Sequence, residues 1–84
     1  MSDVSIPRPP DVVTILWVRN PLRRRSPRTI VEATVIGNAD PCNRFLRANE
    51  KFVCAEDCLL DNGFKKVCED KMGVFGVSLF IRDC

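Results

Sequence analysis

The sequence contains no histidine and no tyrosine. Histidine is the usual general base beside a serine or cysteine nucleophile. Any cysteine nucleophile in this chain of 84 residues would lack that partner. Glycine is scarce as well, at four residues, and none falls in a phosphate-cradling loop, a dinucleotide fingerprint or a G-x-S-x-G elbow. The acids, such as the adjacent pairs Glu56-Asp57 and Glu69-Asp70, read as solvated surface or turn positions. Together these absences point to a protein that is not an enzyme and that holds no cofactor.

Long apolar runs are missing too. None approaches the roughly 18 residues of a membrane-crossing helix. Met1 to Pro10 carries Asp3 and the prolines Pro7, Pro9 and Pro10, and it lacks the apolar centre of a signal peptide. Residues 1–10 are expected to form a flexible, proline-containing tail ahead of a single domain over 11–84. The expected location is cytoplasmic or nuclear, with no membrane partner.

The chain has five cysteines, an odd number that argues against a closed disulfide framework. In a reducing compartment they are expected as free thiols. Cys54 and Cys58 are the one closely spaced pair, and Cys68 could join them across a turn. These three are the candidates for a small cysteine-liganded zinc module. No histidine completes the set, so no metal site is assigned. A bond between Cys54 and Cys58 inside one helix is geometrically unfavourable.

The apolar fraction, 45%, and the charged fraction, 29%, are those of a globular domain. Val12 to Val18 is β-branched and aromatic and predicts a strand, with Trp17 expected in the core. Thr29 to Ile36 predicts a second strand. Simple alternation puts Val31, Ala33 and Val35 toward the core and Ile30 and Ile36 on the outward face. Asp40-Pro41 has the form of a helix start, with Asp40 as N-cap and Pro41 at the first helical position. Pairs of apolar residues then recur every seven positions, at Phe45-Leu46, Phe52-Val53 and Leu59-Leu60. The spacing predicts a helix over 41–61 that stops at Asn62-Gly63. Asn49 interrupts the apolar stripe, and a break there, with a short strand over 51–55, is the alternative. Phe64 to Glu69 and Val74 to Arg82 predict two more strands, with a turn over 70–73. The fold class is therefore α+β: a four-stranded, mainly antiparallel sheet with one helix on one face, in β-β-α-β-β order.

Charge is unevenly placed. Between Arg19 and Arg28 lie five arginines and no acid: Arg19, Arg23, Arg24, Arg25 and Arg28. The other 74 residues hold eight basic and eleven acidic side chains, so a mildly acidic domain carries one basic loop. Arginine pairs bidentately with carboxylate and phosphate, so the loop suits an acidic protein surface or nucleic-acid phosphates. A loop kept basic for solubility is the plainer reading. Ser26 follows three arginines and precedes Pro27, which makes it a candidate phosphorylation site that would cancel part of this charge. A sheet covered on one face leaves the other face, or an edge strand, free. The leading expectation is a small regulatory protein that docks on a protein partner through this loop and that face, with Ile30 and Ile36 as apolar contacts. Nucleic-acid binding through the loop is the alternative, and self-association through face or edge is a further option.

Overall fold

The computed structural model describes residues 9–22 and 26–83. It contains strands β1 (Asp11–Val18), β2 (Thr29–Ile36), β3 (Lys65–Met72) and β4 (Phe75–Arg82), with helix α1 (Phe52–Asp61) between β2 and β3. The strands form one sheet in the order β2-β1-β4-β3, and every neighbouring pair is antiparallel. The α+β class and the β-β-α-β-β order expected from the sequence are both present. The turn joining β3 to β4 is shorter than expected: β3 runs on to Met72, and Gly73 and Val74 alone make the turn.

One face of the sheet is covered. Val13, Ile15 and Trp17 of β1 and Phe80 of β4 are buried there against Phe52, Ala55 and Leu59 of α1. The 52, 55, 59 spacing sets the three helical residues on one stripe. Gly76 of β4 lies opposite Trp17 in the ladder. A Cβ at that position would overlap the six-membered ring of the indole, so glycine is what lets the largest core side chain lie flat against the sheet.

The helix is shorter than the sequence periodicity predicts. Cys42–Phe45 is a 3₁₀ turn, and α1 begins at Phe52. Asp40 does not cap a helix: its carboxylate receives a bond from the Asn43 side-chain amide. The break falls at Asn49, whose φ of 73° is left-handed, a conformation asparagine tolerates better than most residues. The cause is tertiary. The Asn49 N–H donates to the Ile30 carbonyl at 2.8 Å, and the Phe52 N–H donates to the Arg28 carbonyl at 3.0 Å. In return the Ile30 N–H donates to Glu50 at 2.8 Å. Backbone groups that would extend the helix are taken by the start of β2. The expected alternative of a strand over 51–55 reduces to one bridge, Thr29 to Lys51. At its other end α1 stops as predicted. Gly63 has a φ of 91°, and the Phe64 N–H donates back to Leu59 at 3.0 Å.

The face assignment in β2 needs a correction. Leu16 pairs with Glu32 but Trp17 pairs with Ile30, so Val31 is an extra, bulged residue. Beyond the bulge the ladder keeps the alternation, with Ala33 packed against the core and Ile36 on the open side, but Val35, expected in the core, is 37% exposed although it lies on Ala33's side. Before it the alternation is reversed. Ile30 is 1% exposed and belongs to the core, whereas Val31 is 44% exposed.

Candidate interaction site

The basic loop is attached at both ends to Trp17. The Arg19 guanidinium lies 5.9 Å from the indole centroid and the Arg28 guanidinium 5.1 Å. Arg28 also sits 4.3 Å over the Phe52 ring. Such stacking stabilises a guanidinium by roughly 0.5–2 kcal/mol. The Arg19 N–H donates to the Val74 carbonyl at 2.8 Å, which ties the loop to the β3–β4 turn. Near the start of the loop the Asn20 side-chain oxygen accepts from the Leu22 N–H at 2.9 Å. The Ser26 hydroxyl accepts from the Asn20 N–H at 2.9 Å, so the candidate phosphorylation site is half-buried and holds the loop's two arms together. Arg23, Arg24 and Arg25 lie outside the described residues.

Arg28 is not a free cation. Its Nη1 is 3.4 Å from the Glu69 carboxylate and its Nη2 is 4.0 Å from Glu56. Lys66 bridges the same two acids, at 3.1 Å to Glu56 and 3.3 Å to Glu69. Glu69 accepts a further bond from the Ser78 hydroxyl at 2.9 Å, and that hydroxyl accepts from the Trp17 indole N–H at 3.1 Å. The chain Trp17–Ser78–Glu69 satisfies the buried Trp17 indole N–H and the Ser78 hydroxyl, and the cations close it at the sheet's edge. Glu56 and Glu69, read from sequence as solvated acids, are instead partners in this network. No local pattern marks them, because α1, β3 and the foot of β2 meet there through the fold.

The network sets the ionisation of its members. The hydrogen bond to Glu56 is the largest influence on Lys66; its charge and that of Glu69 help raise the Lys66 pKa above the ordinary value against the cost of burial. For Glu69, burial is the largest single influence and disfavours the carboxylate. The bonds from Ser78 and Lys66, with the charges of Lys66 and Arg28, together outweigh it and hold the pKa below the ordinary range. Both groups are therefore charged at neutral pH, and neither is poised to shuttle protons.

The cysteines depart from expectation. Cys42 and Cys58 form a disulfide that ties the 3₁₀ turn to α1, with a Cα–Cα distance of 5.7 Å. Two of the expected free thiols are thus a cross-link, and Cys58 is unavailable as a metal ligand. Cys54 and Cys68 are exposed thiols. Among the described residues no three metal-ligating side chains come together.

Among the described residues, no layer lies over the second face of the sheet. Across it the ladder aligns Ile36, Val12, Ile81 and Lys65 in one row, and Glu32, Leu16, Val77 and Asp70 in another. The two central strands contribute a single polar side chain to this face, Thr14. Phe75 is 54% exposed, Ile36 60% and Met72 78%. Leu16, Met72, Phe75 and Val77 line a shallow depression at the end nearest the β3–β4 turn. Ile36 thus has the outward position expected for it, and Ile30, being buried, cannot supply a contact there.

Among the described residues no helix is long and apolar enough to cross a membrane. Comparison with known proteins adds no relative: no protein-family model matches the chain, and no curated protein or solved structure matches it.

Proposed function

We propose that the protein is a small, non-enzymatic binding module that docks on a protein partner through its open sheet face, with the Arg19–Arg28 loop as a basic flank. The observation that carries this reading is the uncovered apolar face. Monomeric proteins rarely expose a contiguous apolar patch beyond a few hundred Å² without using it. Met72 and Phe75 lie at the end of the sheet where the Arg19 N–H meets Val74, so loop and face are neighbours. A partner with an apolar strip bordered by acids would engage both.

Affinity capture from the native host tests the proposal. We expect Leu16→Glu in the face to abolish capture of a specific protein. Replacing Arg23, Arg24 and Arg25 by alanine should weaken it about tenfold or more at low salt, as expected for a charged flank. Capture that is indifferent to both variants overturns the proposal. Recovery of nucleic acid that survives about 0.2 M salt and is lost in the arginine variant would favour phosphate binding instead. In our reading the location is the cytoplasm or nucleus, with the arginine stretch also able to direct nuclear import. Disulfides persist mainly in oxidising compartments. Alkylation of thiols before cell lysis therefore decides this point: Cys42 and Cys58 recovered fully oxidised would exclude both locations.

A further inference from the structure

The open face has the dimensions and side-chain pattern of half a two-sheet sandwich, and we infer that its occupant is a second copy of this chain. The inference rests on the reading of this face as a docking surface and names what covers it. Four strands of eight residues span roughly 19 Å by 26 Å, a projected area of about 500 Å². Two copies face to face would bury on the order of 1,000 Å² or more, the lower bound for a biological interface. Among the described residues, charges on this face occur only in its outer strands, as Glu32, Lys65 and Asp70, around an apolar centre. That is the arrangement of an interface core with a polar rim.

The same registers choose the symmetry. A two-fold axis parallel to the strands lays β2 over the partner's β3 in the same row. Glu32 would then face Asp70 across the interface, and like charges in a desolvated contact are costly. A two-fold axis perpendicular to the strands, in the plane between the sheets, lays β3 over β3. Glu32 then meets Thr34, Lys65 meets Met72 and Asp70 meets Cys68, with no like pair opposed. A net charge of +2 adds little long-range repulsion between copies. The geometry therefore points to an isologous dimer, sheet on sheet, with β3 over β3, the two Cys68 Cα atoms roughly 12 Å apart and their thiols roughly 8 Å apart.

Sedimentation equilibrium of the full chain tests the inference. Between about 5 and about 200 µM the mass should rise from 9.5 kDa toward twice that value. Leu16→Glu and Phe75→Glu should each raise the dissociation constant about a hundredfold or more. Trp17 lies under the helix, away from this face, so its fluorescence checks that the variants remain folded. In a Cys54→Ser, Cys84→Ser background, a bismaleimide of about 8 Å reach should join two copies through Cys68. A wild type that stays monomeric throughout overturns the inference, as does a dimer that neither face variant weakens. Absence of the Cys68 cross-link in a proven dimer overturns the assigned symmetry. A monomer that still captures another protein, lost with Leu16→Glu, overturns self-association while the proposed docking role stands.

Discussion

Glu69 shows how much one side chain can connect. Its carboxylate is bound by Ser78, Lys66 and Arg28, and through Ser78 it orients the Trp17 indole. Its pKa lies below the ordinary value of 4.5 in the folded protein. The stability it contributes is therefore present above pH 4.5 and is lost as pH falls through the lower folded value. Lys66 acts in the opposite sense. Its pKa is raised above 10.5, so its contribution is present below that pH and is lost as pH rises through the folded value. We expect Glu69→Gln to cost about 1–2 kcal/mol at neutral pH, since a neutral amide keeps one bond and loses the charge-assisted ones. The variant should also show a flatter loss of stability below pH 4.5 than the wild type. Urea unfolding at a series of pH values measures both, and parallel acid limbs would remove Glu69 from this role.

At the scale of elements, the bulge at Val31 decides which residues of β2 are core. Alternation read along the sequence groups Ile30 with Ile36, and the ladder separates them. Ile30→Ala should cost about 2–4 kcal/mol, the range for emptying a well-packed site. Ile36→Ala should stay within about 0.5–1 kcal/mol in the monomer. Equal effects in chemical denaturation would contradict the assigned register. The break at Asn49 has the same kind of origin. The seven-residue apolar spacing continues through residues 45–60, but hydrogen bonds to Arg28 and Ile30 claim the backbone of 49–52. A periodic pattern reports which side chains seek burial. It does not report whether one unbroken helix or a turn and a helix will bury them.

For the whole molecule, size is the governing fact. A chain of 84 residues with one covered sheet face has a small core, and a cross-link matters correspondingly more. The Cys42–Cys58 bond closes a loop of sequence separation 16. On loop length alone it stabilises the fold by about 3 kcal/mol. Denaturant unfolding with and without reductant should show a loss of that order. A midpoint unchanged by reduction would make the bond dispensable. In the non-reduced protein, Cys54 and Cys68 should alkylate while Cys42 and Cys58 do not.

The sequence by itself determined the strand positions, their β-branched character, the helix stop at Asn62-Gly63 and the α+β class, because these follow from local propensity and period. It also determined that the chain has no histidine and no tyrosine and that its positive charge is concentrated in one loop. The tertiary structure alone decided the rest. The bulge moved Ile30 into the core, β2 cut the helix at Asn49, and α1 brought Cys58 to Cys42. Glu69, Glu56, Arg28 and Lys66 became one network only when three elements met. Each of these depends on groups far apart in the chain competing for the same hydrogen bonds or the same buried space, and a one-dimensional pattern carries no record of that competition.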